Sequence, residues 1–345
     1  MATRWLAVAS VVLLAPSLWN GLAVDDYFHR LAVQGRLGFS VGALDLFRFL
    51  PSGGVERSVA QEVGFASWWM PAAAQISYFR PLASLTHFAD YTLWPHAAWL
   101  MHTENLGLYA VMVLACGVLY RRFVGVPWVA GLATALYAFD QAHALPVGWI
   151  ANRNALMAMA FGLGGLLAHD SWRRESKASR AVVAVTAFAL ALLSAESGFA
   201  IFAYLVAYAW IMDRGAPLSR VLSVLPYAAV AVVWRLAYWA LGYGVVGSVM
   251  VCDPIVDPLG FVRRAAMSVP LLVASDVFVA PTDALAMFPR AVPAIALFAA
   301  AAMVLFAFVA WPAVRGDRTA RFFAAGSLLA ALPFGAMMQS DRYAF

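Results

Sequence analysis

Long, nearly uncharged stretches recur along the chain at 5–24, 98–120, 124–139, 155–169, 181–212, 221–241, 291–312 and 321–339. No other feature restricts the fold as strongly. A membrane-crossing helix needs about 20 predominantly apolar residues, within a range of about 17–25. Composition agrees with that reading. Of 345 residues, 64% are hydrophobic and 12% charged, whereas a soluble domain carries about 25% charge and about 45–50% apolar residues. The expected fold is an all-α integral membrane protein, one polytopic helical bundle over residues 1–345. The net charge of +5 would fit nucleic acid in a soluble protein. Here the basic residues sit in short loops between apolar runs, so they read as orientation signals and no nucleic-acid partner is expected. Cys116 lies in an apolar run and Cys252 in a loop, which predicts no disulfide framework. The first apolar run exceeds a signal-peptide core and further spans follow, so it reads as an uncleaved helix.

Charge assigns the sides. Arg121 and Arg122 follow the second stretch, "SWRRESKASR" (171–180) holds four basic residues, "DRGAPLSR" (213–220) two and "RGDRTAR" (315–321) three. The positive-inside rule places all of them in the cytoplasm. As one helix, 181–212 would be about 48 Å long, too much for a single straight span. With basic loops on both sides of it in the cytoplasm, it must be a hairpin turning outside, at Glu196 in "LLSAESGF". Segment 259–290 is interrupted by Arg263, Arg264, Asp276, Asp283 and Arg290, and reads as a re-entrant or interfacial piece on the outer side. The sum is about nine transmembrane helices, with the N-terminus inside and the C-terminus outside. Residues 25–97 form a long first outer loop. Its aromatic-rich pieces, "VGALDLFRFL" and "FASWWM", predict interfacial helices.

The remaining polar residues fall on the outer face under this assignment. Ionisable groups at membrane depth are costly and mark function. Asp25 and Asp26, in "LAVDDYFHR", follow the first apolar run. At a helix C-terminus two carboxylates oppose the macrodipole, so capping explains them poorly. Arg80, Asp90, His102, Asn105, Asp140, His143, Asn152, Arg153, Glu196, Arg342 and Tyr343 share that face. His102 and Asn105 are three apart and lie on one helix face. His87, His96, His102 and His143 lack ligand spacing such as HExxH, so no metal site is expected. No cofactor is predicted, and the need for a divalent cation stays open.

An ordered set of motifs carries a family resemblance: "DDYFH", "YFRPLASLTHFADYTLW" (78–94), "HTENLGLYAVMV" (102–113), "PVGWIANRNAL" (146–156), "LLSAESGF" (192–199) and "SDRYAF" (340–345). The set resembles the GT-C class of membrane glycosyltransferases, most closely its protein O-mannosyltransferase-like branch, over essentially the whole chain. The resemblance implies transfer of a sugar from a polyprenyl-phosphate donor to a protein, lipid or glycan acceptor at the outer membrane face. It implies Asp25 or Asp26 as the catalytic base, with Asp25 preferred. It implies Arg80, Arg153 and Arg342 on the lipid phosphate, and His102, Asn105, Glu196 and Tyr343 lining the site. The implied setting is a bacterial inner membrane with the site facing the periplasm. Three departures stand out. A Lys usually precedes the Glu-Ser element, where this chain has "AES"; a Gly usually precedes the arginine, where it has "ANRN"; and relatives continue beyond the position of Phe345, which leaves a minimal or a truncated member as alternatives. Two other readings compete: a transporter or flippase of lipid-linked sugars, which should show broken helices and polar groups near the midplane, and a non-catalytic relative.

Overall fold

The computed structural model describes residues 2–50, 53–64, 66–71, 73–247, 251–278, 290 and 292–334. Arg342, Tyr343 and Asp283 lie outside these residues. Helix α1 (Ala2–Leu14) tightens into a 3-10 turn, Ala15–Trp19, at Pro16. Proline lacks the N–H that would continue an α-helix. The chain then turns through Gly21 (φ +68°) and Val24 (φ +40°), and α2 (Asp25–Val33) begins. The aspartate pair therefore opens a second helix, which corrects the expectation that it ends the first. At an N-terminus the macrodipole favours carboxylates.

Strand β1 (Arg48–Leu50), α3 (Gly54–Glu62), β2 (Gln75–Ser77) and α4 (Pro81–Leu93) complete the 25–97 segment. The bundle follows with α5 (Ala98–Phe123), α6 (Pro127–Ala138), the short α7 (Ala144–Gly148) and α8 (Arg153–Glu175). Next come α9 (Ala178–Ser194) and α10 (Ala200–Ala207), which runs on as a π-turn over Tyr208–Met212. Helix α11 (Pro217–Ala240), β3 (Gly244–Val246), α12 (Pro258–Phe278), α13 (Val292–Gly316) and α14 (Arg318–Phe334) close the described chain.

Among the described residues, three helices are long and apolar enough to cross a membrane: Ala98–Phe123, Pro217–Ala240 and Leu297–Gly316. Thr3–Trp19, Ala178–Ser194 and Glu196–Met212 are apolar but shorter. This is fewer than the nine expected, and the shortfall has physical causes. Stretch 124–139 yields a 12-residue helix, about 18 Å long. Helix α8 is long enough but carries Arg153 at one end and His169, Asp170 and two arginines toward the other. Run 181–212 does fold as two helices, joined by a turn at Glu196–Phe199. Residues 258–278 form one continuous helix packed on α13 and α14.

Small as it is, a sheet amends the all-α expectation. Its order is β1-β2-β3, antiparallel throughout, with Leu50 opposite Ile76 and Ile76 opposite Val245. It ties the 25–97 segment to the chain leaving α11. Tyr238 of α11 strengthens the tie, its hydroxyl donating to the Ser77 carbonyl at 3.3 Å. The core is shared by α5 (Tyr109, Met112, Val113), α8 (Leu156, Leu163, Leu166), α9 (Phe188, Leu192) and Phe322 of α14. Gly162 lets α8 approach α10: a Cβ there would meet the Ile201 side chain at 2.3 Å. Small residues at such crossings are how membrane helices pack closely.

The four basic loops meet at one end. Arg122 and Arg174 (2.9 Å) both pair with the fully buried Asp170, which also accepts from Tyr208 Oη at 2.7 Å. Arg173 pairs with Asp213 at 2.6 Å, and Arg318 donates to the carbonyls of Ile211 and Asp213. Thr319 donates to the Phe123 carbonyl at 3.0 Å. Helices α5, α8 and α10 arrive at this end while α9, α11 and α14 leave it.

Candidate active-site cavity

From the opposite end a cavity of about 1310 Å³ opens into the bundle. Its polar mouth is built from Asp25 of α2, Arg80, Asn152, Asn154 and the hairpin turn Glu196–Ser197. From there it continues as an apolar trough along α13 (Met303, Phe306, Trp311) and α14 (Phe323, Leu328, Phe334). The α14 wall alone runs from Ala320 to Phe334, about 21 Å at helical rise.

Arg80 immediately precedes Pro81, the first residue of α4. Proline at that position is pre-set for a helix start and holds the residue before it out of the α region. The side chain so placed crosses to the hairpin turn, where Nε and Nη2 both lie 2.7 Å from Glu196 Oε2. The guanidinium lies over the rings of Tyr78 (4.3 Å) and Phe47 (5.1 Å). Neither ion is fully enclosed: the two side chains are 15% and 17% exposed, both at the cavity wall. No cation stands beside Glu196 in "AES", and one reaches it from Arg80, 116 residues away.

The neighbouring aspartates face different surroundings. Asp25 lines the cavity. Asp26 is fully buried, with Oδ1 accepting from Ala151 N–H at 2.6 Å and Oδ2 from Ala23 N–H at 2.8 Å. Burial pushes the Asp26 carboxyl up to about 7, against the pull of those two N–H groups. It staples the turn before α2 to the 149–152 segment, and so fixes two walls of the mouth. Val24, between staple and mouth, holds φ +40°. For a β-branched residue that is a genuine outlier, costing on the order of 1–3 kcal/mol.

Arg153, fully buried, does not line the cavity. Nε donates to Asn105 Oδ1 (2.9 Å) and Nη2 to the Met101 carbonyl (2.9 Å), while Nη1 meets Asp90 (2.5 Å) and Glu104 (2.7 Å). Asn105 passes the restraint on, donating to the carbonyls of Val147 and Trp149 at 3.2 Å each. His102 Nε2 meets the Gly21 carbonyl at 2.9 Å. His102, Asn105, Arg153 and Asp26 therefore form a frame behind the mouth, whereas Asp25, Arg80 and Glu196 face it. Within "ANRN" the two asparagines line the cavity and the arginine turns inward.

Sequence reasoning missed the aromatic bracket of Phe47 and Tyr78, and the pair His29 and His87. Both histidines are fully buried with ring centroids 5.0 Å apart. Burial holds His29 down to about 3, so it is neutral. The signal was there for His29, which stands one turn after Asp26 on α2. Among the described residues, no group of three or more His, Cys, Asp or Glu side chains is gathered closely enough to hold a metal. The chain matches no protein-family model, no curated protein and no solved structure.

Proposed function

We propose that the chain is an integral-membrane glycosyltransferase using a polyprenyl-phosphate-linked sugar. One observation carries this reading: a single cavity joins a carboxylate (Asp25), an arginine (Arg80) and a long apolar trough. In the reaction, Asp25 takes the proton of the acceptor hydroxyl. The hydroxyl oxygen bonds to the sugar's anomeric carbon as the bond from that carbon to the phosphate oxygen breaks. Polyprenyl phosphate leaves. A positioned carboxylate contributes about 10²–10⁴-fold as general base. Arg80 offers the leaving phosphate a planar, permanently charged donor set, and the trough holds the lipid tail. Asn152, Asn154 and Glu196 border the sugar and acceptor. In this reading the shorter apolar helices complete about nine crossings of a bacterial inner membrane, with the mouth toward the periplasm.

A second reading has its own observation. The trough extends to Val314 and Ala320, beside the basic end, and a transporter of lipid-linked sugars would use that length. One assay separates the two. Wild type and Asp25→Asn are reconstituted with a panel of polyprenyl-phosphate sugars, and free polyprenyl phosphate is measured. Release by wild type, abolished in a folded Asp25→Asn, supports the transferase. Sugar-lipid movement across the bilayer without release would sink it in favour of the transporter.

A further inference from the structure

We propose that the basic end carries a binding site for the headgroup of an anionic phospholipid. The inference needs the chain to span a membrane, and it is independent of glycosyl transfer. A cleft of about 460 Å³, apart from the large cavity, opens between the end of α8 and the start of α11. Trp172, Arg173, Ser219, Leu222 and Ser223 are among the residues that line it.

The polar wall of this cleft is held ready. Arg173 Nε donates to Asp213 Oδ2 at 2.6 Å and Nη2 donates to Ser219 Oγ at 2.9 Å. The guanidinium lies 5.5 Å from the Trp172 ring centroid. Because Ser219 Oγ accepts from Arg173, its own proton is left for an anionic oxygen. Around the cleft, segments 171–180 and 213–220 hold six basic residues against Glu175 and Asp213. Those two acids are already taken by Lys177 and Arg173. Arg214 and Arg220 have no carboxylate partner among the described residues.

The apolar wall argues for a lipid over a soluble anion. Leu218, Leu222 and Leu225 follow one face of α11 and are 71%, 51% and 51% exposed. This stripe begins at the cleft and runs along one of the three helices long and apolar enough to cross the membrane. A phosphate in the cleft would thus sit directly above a surface suited to acyl chains. Tryptophan at headgroup depth fits the same level. Each arginine near an anionic surface contributes about 1 kcal/mol of attraction, or roughly fivefold in affinity.

The test uses the full chain in detergent micelles and reads tryptophan fluorescence. Phosphatidylglycerol with brominated acyl chains is titrated into wild type and into Trp172→Phe, and the difference isolates Trp172. Saturable quenching of Trp172 is expected, with brominated phosphatidylcholine about fivefold weaker or worse. Arg214→Gln, an exposed change with no packing consequence, should weaken the phosphatidylglycerol titration about fivefold. Ser219→Ala should weaken it several-fold without shifting Tm. Equal quenching by the two lipids, or no response to either substitution, overturns the site. Displacement by millimolar inorganic phosphate as effective as by phosphatidylglycerol would also overturn it, since a free anion would then suffice.

Discussion

At the basic end, fully buried Asp170 takes Arg122, Arg174 and Tyr208. At the other end, fully buried Arg153 takes Asp90, Glu104, Asn105 and the Met101 carbonyl. The two hubs are mirror cases, one carboxylate among cations and one cation among carboxylates, each with its hydrogen-bonding capacity largely used inside the protein. The Arg80–Glu196 pair differs from both. It is bracketed by aromatics, rests on a cavity wall and keeps part of each side chain exposed. A buried, saturated charge is a strut; a charge only partly committed beside a cavity is available to a ligand. By that contrast Arg153 belongs with Asp170, although its sequence context resembles a site motif, and Arg80 belongs with Asp25.

The contrast breaks first at Arg153. Arg153→Ala leaves Asp90 buried without its cation, a class of change that costs about 3–5 kcal/mol. Loss of folded protein or a large drop in Tm is expected in detergent. A stable Arg153→Ala would show that the strut is dispensable. Asp170→Ala should lower Tm by less, because Arg122 and Arg174 keep part of their side chains in solvent. Next comes Asp25→Asn, with turnover falling about 10²–10⁴-fold at unchanged Tm. Its neighbour reverses the pattern: Asp26→Asn should lower Tm, since an amide NH₂ would face one of the two N–H donors. Equal behaviour of the two substitutions in both assays would erase the distinction between mouth and frame.

A pH series sharpens the Asp26 assignment. The folded-state value is about 7 against an ordinary 3.8, so the folded protein binds the proton more tightly than the unfolded chain. The contribution to stability is therefore largest below the ordinary value and is lost as pH rises toward 7. Asp26→Asn should flatten the dependence of Tm on pH between those limits. A smaller effect is expected from Arg80→Lys, which keeps the charge but loses the planar fork and should raise the donor KM about tenfold. The smallest is Lys177→Ala at the exposed Glu175 pair, for which no measurable Tm shift is expected.

Much of the helical framework was readable because charge and hydrophobicity act over short windows. The basic loops predicted one common end, and the surplus length of 181–212 predicted a hairpin. What escaped was long-range or local in a way that composition does not record. Pro16 and Gly21 end the first helix early, so the aspartates begin a helix where the apolar run promised an end. Nothing near Arg80 in sequence announces Glu196. The three-residue strands are too short for a periodic signal and exist because β2 finds partners on both sides. In the site, the residue types were legible but their directions were not. Asp25 and Asp26 differ by one helical step, and that step decides which carboxylate meets the cavity and which meets two backbone N–H groups.

The π-turn at Tyr208–Met212 has a consequence in helical phase. A π-turn is an α-helix carrying one residue too many, and here it immediately precedes Asp213. Winding the same five residues as ordinary α-helix would swing everything beyond them by about 100°. Asp213 would rotate out of reach of Arg173, and its carbonyl out of reach of Arg318. The wide turn thus sets the phase at which the end of α10 meets α8 through Arg173 and α14 through Arg318.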